Sequence, residues 1–376
     1  MDKNQHLTQD AAEPYAVFVM AKTSKELGIL GSQNTGLLWQ QFRDYLSKIG
    51  WSEADFVRFY PSYKKNVDSQ VPKFINRLAS LDSKAKYTFQ LDEVEQRNAG
   101  NKADFIISVE GEQQPLMVSL KNYIGTGGIG RPQVSSGTFL SFANGFIFER
   151  NGVGTYSFPN EVDLTFKGSI KVKRDLALKQ MNLEKLSPCL DSLNDLQQFV
   201  RNELLGLRFY DQNKIRAVIE KIVPEAQDTL LQIFATLGAE QVKLKFLERA
   251  NLLGAEHVLY FDSENSVDSI TSKKFADLYK ILNSPTTSLS VSARGQSLVF
   301  DFIHEGRTVL SNQVPLTINT NGAWHRPNEI YVGTQPKMDK GVLVHLAYGE
   351  LRPRKSKEIA TSTNLYMDLA SANVFN

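Results

Sequence analysis

Tyr87-Thr88-Phe89-Gln90-Leu91, Ala103-Asp104-Phe105-Ile106-Ile107-Ser108-Val109 and Leu116-Met117-Val118-Ser119-Leu120-Lys121-Asn122 decide how this chain is read. Each is a short run of β-branched and aromatic residues bounded by glycine or polar residues, the composition of consecutive strands. The second and third are joined by Glu110-Gly111-Glu112-Gln113-Gln114-Pro115, a turn-rich connection that predicts an antiparallel hairpin. Residues two apart on a strand face the same side, so Ser119 and Lys121 point together. The hairpin would carry Asp104 to their side, and an acid and an ammonium would converge at one edge of the sheet.

Working outward, Leu38, Phe42, Leu46 and Ile49 recur at helical spacing after Thr35, and Gly50 is placed to end the segment. Val71, Phe74, Ile75 and Leu78 predict a second amphipathic helix over residues 69–81. Downstream of Lys121 comes the glycine-rich stretch Gly125-Thr126-Gly127-Gly128-Ile129-Gly130, followed by a predicted helix over residues 133–142 and an apolar strand at Phe146-Ile147-Phe148. Helix, strands, helix, strand makes an α/β core. Residues 176–253 carry helical periodicity, as in Ile215-Arg216-Ala217-Val218-Ile219. After them, Val258-Leu259-Tyr260-Phe261, Leu289-Ser290-Val291-Ser292, Leu298-Val299-Phe300-Asp301-Phe302 and Val342-Leu343-Val344-His345-Leu346 read as strands, with a helix over residues 273–282. The domain reading is therefore 1–165 for the core with its N-terminal helices, 166–255 for a helical region, and 256–376 for a separate α+β region.

The length of 376 residues, with 41% hydrophobic and 22% charged, is that of a globular chain and excludes disorder as the main state. Lys+Arg is 43 against Asp+Glu 41, so any affinity for nucleic acid must come from local patches. One cysteine, Cys189, closes no internal disulfide, and the five scattered histidines form no HExxH or Cys-rich metal motif. The polar start and the shortness of runs such as Ala16-Val17-Phe18-Val19-Met20-Ala21 lead us to expect neither secretion nor membrane insertion, hence a cytoplasmic protein. The glycine-rich stretch lacks the Gly-Lys-Ser/Thr of a P-loop and the Rossmann spacing, so a loop near a DNA backbone, with Arg131 beside it, or a plain connection is expected instead.

An Asp opening one strand and x-Lys on the next, fifteen positions later at Ser119-Leu120-Lys121, resembles the PD-(D/E)xK nuclease superfamily, to which most Type II restriction endonucleases belong. The resemblance covers about residues 85–150 and includes Asn101-Lys102-Ala103-Asp104 and the Gln133-x-x-Ser136-Gly137 stretch. It implies a restriction-endonuclease-like core, a mixed sheet flanked by helices, followed here by the helical middle region and the C-terminal α+β region. It also implies a Mg²⁺ cofactor held chiefly by Asp104, with Lys121 acting on the attacking water. The sequence departs from the family at Ser119, where a carboxylate is usual. Some restriction endonucleases with Ser-x-Lys recruit an acid from elsewhere, for which Glu93 and Glu95 stand equal, with Gln133 and Glu149 as further contributors. Mg²⁺ takes one or two carboxylates and otherwise waters and phosphate oxygens, so such a donor set suffices.

The resemblance makes double-stranded DNA the partner and site-specific phosphodiester hydrolysis the activity. Cutting both strands of a palindrome favours a homodimer. Two basic clusters, Lys167, Lys171, Lys173 and Arg174, and Arg352, Arg354, Lys355 and Lys357, are candidates for phosphate contact, and Trp324-His325-Arg326-Pro327-Asn328 has groups suited to base readout. A homing or repair nuclease on the same core, or a DNA-binding protein that kept the fold and lost its chemistry, are the alternatives.

Overall fold

The alternation Tyr87, Phe89 on the first strand, Phe105, Ile107 on the second and Val118, Leu120 on the third puts one apolar face on an antiparallel meander. The computed structural model describes residues 12–48, 50–59, 61–91, 103–122, 133–151, 155–157, 169–204, 212–250, 256–261, 264–319, 360–366 and 368–372. In it β1 (Tyr87–Leu91), β2 (Phe105–Val109) and β3 (Leu116–Asn122) pair in sequence order, with Phe89 opposite Ile107 and Phe105 opposite Val118. The predicted hairpin is present. Gly111 in its turn has φ +91°, a conformation that side chains with a Cβ resist.

Four N-terminal helices cover that apolar face: α1 (Ala12–Glu26), α2 (Thr35–Lys48), α3 (Glu53–Phe59) and α4 (Pro61–Leu81). α2 ends as expected. The N–H of Gly50, at φ +71°, donates to the Ser47 carbonyl and that of Trp51 to Leu46, so the left-handed glycine satisfies the last carbonyls. The helix expected over residues 69–81 is the second half of α4, which starts earlier with Pro61 in its first turn, where a proline costs no hydrogen bond. Val67, Val71, Phe74, Ile75 and Leu78 of α4 are buried against Met20 of α1, Phe89 and Phe105 in one cluster.

Beyond β3 the chain departs from expectation in two places. Residues 133–142 do not form one helix. Gln133–Gly137 is strand β4, and α5 begins only at Phe139 (Phe139–Ile147). Thr138 is its N-cap, its Oγ1 accepting from the Ser141 amide at 3.1 Å. Phe146 and Ile147 end this helix, with Phe148 as its extended C-cap, and the three do not form a strand, because Phe139, Phe142, Ala143, Phe146 and Ile147 follow the i, i+3, i+4, i+7, i+8 spacing of one buried helical stripe. A small hairpin of β5 (Glu149–Asn151) and β6 (Thr155–Ser157) follows.

The middle region is helical as read: α6 (Ile170–Gln180), α7 (Ser187–Leu204), α8 (Gln212–Leu237) and α9 (Ala239–Arg249). The chain then returns to the first sheet. β7 (Glu256–Phe261) lies parallel to β3, and β8 (Ser266–Asp268) is antiparallel to β7, giving the order β1-β2-β3-β7-β8. The strands after residue 255, expected as a separate unit, are thus divided between two sheets. β7 is apolar on both sides, as a central strand requires: Leu259 and Phe261 join the core of the N-terminal helices, Val258 and Tyr260 the other core.

On that other side lies α10 (Lys273–Asn283), whose Phe275 ring stacks on Tyr260 with centroids 6.2 Å apart. β9 (Thr287–Arg294), β10 (Ser297–His304), β11 (Arg307–Asn319) and β12 (Ala360–Tyr366) form the second sheet, ordered β4-β12-β11-β10-β9. The molecule is therefore mixed α/β with two five-stranded sheets, the first carrying helices on both faces. α4 is fastened to β8 by Arg77, which donates to Asp268 at 2.7 Å, Ser266 at 3.0 Å and Thr271 at 2.9 Å.

Candidate active site

Asp104 stands one residue before β2, and its backbone N–H donates to the Val118 carbonyl at 2.8 Å. The β2–β3 ladder ends at Phe105 opposite Val118, so the Leu120 N–H lies beyond β2's last paired residue. The Asp104 carboxylate takes its place as acceptor: Oδ2 receives the Leu120 N–H at 2.5 Å and the Ser119 hydroxyl at 3.1 Å. The Lys121 ammonium lies 3.5 Å from the same oxygen. The acid and the ammonium expected to converge do so.

Ser119 is 1% exposed, whereas the Asp104 and Lys121 side chains keep 13% and 25% of their surface in contact with solvent. The serine is thus an internal brace, and the two charged groups form the part of the cluster that meets solvent. Partial burial also keeps salt from screening this pair as it would a surface pair.

The parallel register sets Ser119 beside Val258 and Lys121 beside Tyr260. Tyr260 therefore shares a sheet face with the cluster. Its hydroxyl is buried and has no hydrogen-bond partner among the described residues, and burial raises its pKa above the ordinary phenol value. Its signal in the sequence is one polar-tipped aromatic within the apolar run Val258-Leu259-Tyr260-Phe261. His257 is in register with Val118, hence on the opposite face, where its Nδ1 meets the Ser269 hydroxyl at 3.1 Å and burial lowers its pKa.

Of the remaining candidates, Glu93, Glu95, Arg131, Lys167, Arg352, Arg354, Lys355 and Lys357 lie outside the described residues, as do the glycine-rich stretch, the Trp324 segment and the strand read at residues 342–346. Gln133 does not open a helix; it opens β4 and pairs with Tyr366 in the second sheet. The Glu149 carboxylate is engaged by Lys245 of α9 at 2.5 Å. Lys171, Lys173 and Arg174 fall on α6. Arg174, expected to meet phosphate, is buried, its guanidinium held by Asp175 at 2.8 Å and Asp191 at 2.9 Å, and Lys171 pairs with Asp191 at 2.7 Å. These cations fasten α6 to α7, because the neutralising Asp191 is distant in sequence and near in space. Lys173 is partly exposed on the same helix.

A hard cation at this cluster would be held through Asp104, the carboxylate that the described residues supply there. Among the described residues no three His, Cys, Asp or Glu side chains gather, so the other positions around Mg²⁺ would fall to water, phosphate oxygens or an acid from outside them. No protein-family model, curated protein or solved structure matches this chain. No helix among the described residues is long and apolar enough to cross a membrane.

Proposed function

We propose that the protein is a Mg²⁺-dependent endonuclease that hydrolyses phosphodiester bonds of double-stranded DNA at a specific sequence, in the manner of Type II restriction enzymes. The observation that carries this reading is the meeting of Asp104 and Lys121, 3.5 Å apart, where an antiparallel pair ends inside a mixed sheet with helices on both faces. A central strand, β3, with an antiparallel neighbour on one side and a parallel one on the other supports a restriction-endonuclease-like core.

Asp104 would hold the cation, which supplies a Lewis acid and a water of lowered pKa when bound. Ser119 and the Leu120 N–H fix the carboxylate's orientation, so that its direction does not depend on the ligand. Lys121 projects from the same face of the same strand. It orients the attacking water and offsets the charge that builds on the phosphoryl oxygens, a contribution of about 3 to 4 kcal/mol, or about a hundred- to a thousandfold in rate. A homodimer would let two such sites act on the two strands of a palindrome.

One observation favours a second reading, a DNA-binding protein without hydrolytic activity: Asp104 Oδ2 already accepts from Ser119 and Leu120 and faces Lys121. Incubation with unmethylated phage DNA separates the two. Discrete fragments formed with Mg²⁺, absent with EDTA and absent from Asp104→Asn and Lys121→Ala proteins, are expected. Intact DNA throughout, with salt-sensitive binding retained, would establish the silent binder.

A further inference from the structure

Far from Asp104 in the chain, α1, α2, α3 and α4 enclose a cleft of about 570 Å³, a size suited to a small molecule. Its floor is aromatic and buried: the Phe42 and Phe56 rings lie 5.1 Å apart, and Tyr15 lies 5.2 Å from each. Its wall is a second aromatic pair, Phe18 and Trp39, with centroids 4.6 Å apart and both rings partly exposed. Both rings pack against the core on one side and keep part of their surface exposed beside the open space, where a planar ring could stack.

The polar lining narrows the ligand. Tyr15 Oη and Lys64 Nζ both donate to Asp68, each at 2.5 Å, and Lys64 sits 5.4 Å above the Tyr15 ring, so these groups are already committed. Glu53 at the rim is paired with Arg43 at 3.2 Å. Lys22, exposed on α1, has no ion pair among the described residues and is the charge left over at the mouth. A cationic ligand is disfavoured by Lys22, and a plain hydrocarbon would leave Lys22 without a counter-charge. A planar ring that carries an anion satisfies both parts.

We propose that this cleft binds a nucleotide, its base stacked against Phe18 and Trp39 and its phosphate on Lys22. The proposal does not rest on the reading of Asp104 as a catalytic residue. The same chemistry is offered by a free mononucleotide and by an unpaired nucleotide of a DNA strand.

Calorimetric titration of the full chain with dAMP, with short oligothymidylate and with deoxyribose 5-phosphate tests it, in the Asp104→Asn background so that hydrolysis cannot consume the oligomer. Binding of dAMP, with deoxyribose 5-phosphate much weaker, is expected. Phe18→Ala should weaken binding about tenfold, within the range of a single base–aromatic stack. Lys22→Glu, an exposed change that leaves the core intact, should weaken dAMP and not adenosine. Oligothymidylate binding tighter than dTMP would assign the site to a DNA strand, and oligomer binding weaker than dTMP to a free nucleotide. The proposal is overturned if no nucleotide binds at millimolar concentration, if neither substitution changes affinity in a protein whose circular dichroism is unaltered, or if phenol binds as tightly as dAMP. Loss of DNA cleavage in Asp104→Asn bears only on the other site.

Discussion

Replacing Asp104 is expected to cost stability in a way that depends on whether an acceptor oxygen remains. With alanine, the Leu120 N–H, on a residue only 7% exposed, loses the carboxylate that accepts it beyond the end of the β2–β3 ladder. An unsatisfied buried donor costs about 1–3 kcal/mol. Losing the bond from Ser119 and the pairing with Lys121 adds to this, for a total of about 2–4 kcal/mol, a large part of a typical domain's 5–15 kcal/mol. Asparagine keeps an oxygen for the amide and forfeits mainly the partly exposed ion pair, about 1 kcal/mol or less. Urea unfolding followed by circular dichroism reads both, as a shift of midpoint at unchanged m. Alanine and asparagine agreeing within about 0.5 kcal/mol would refute the idea that this carboxylate completes the strand's hydrogen bonding. The same reasoning makes asparagine the better substitution for testing chemistry, since it removes the charge and spares the fold.

Asp268 is fully buried and receives Arg77, the Thr271 hydroxyl and two backbone amides, so Asp268→Ala should cost about 3–5 kcal/mol in the same unfolding assay. A loss under about 1 kcal/mol would show that α4 holds to β8 without the clamp. Tyr260→Phe removes a buried hydroxyl that has no partner among the described residues, and stability should be unchanged or rise by about 1 kcal/mol; a comparable loss would reveal a partner for the hydroxyl. Burial, and then the bond to the Asp68 carboxylate, push the Tyr15 phenol up to about 12. The folded chain therefore holds a proton that the unfolded one releases near pH ~10, and stability contributed below that pH is lost as pH rises from about 10 to about 12. Unfolding midpoints across that window should fall less steeply for Tyr15→Phe than for the unaltered chain, and identical slopes would contradict the assignment.

What the sequence made legible was local. Phe105 to Val109 and Leu116 to Lys121 are adjacent strands with an alternating pattern, and period-two geometry sufficed to bring Asp104, Ser119 and Lys121 together. Thr35–Lys48 was equally plain, its stripe closed by Gly50. The misreadings were long-range or a matter of period. Val258 to Phe261 is apolar on both faces, and nothing within that run says that its partner is β3. Gln133 reads as helical because the strong helical signal of Phe139 and Phe142 extends backwards across the cap at Thr138. Arg174 looked like a free cation because Asp191 meets it only when α6 packs on α7. The aromatic cleft of Phe18 and Trp39 draws on four helices and has no sequence motif.

Seating of a divalent cation on Asp104, facing Lys121, is read by titrating Mn²⁺ into the protein bound to a short DNA duplex and following free Mn²⁺ by electron paramagnetic resonance. Mn²⁺ is expected to bind the unaltered complex and to be displaced by excess Mg²⁺, and that binding to be lost in Asp104→Asn, whose unfolding midpoint and DNA affinity stay close to those of the parent. Mn²⁺ binding of equal strength in both proteins, or none in either, would contradict that seating.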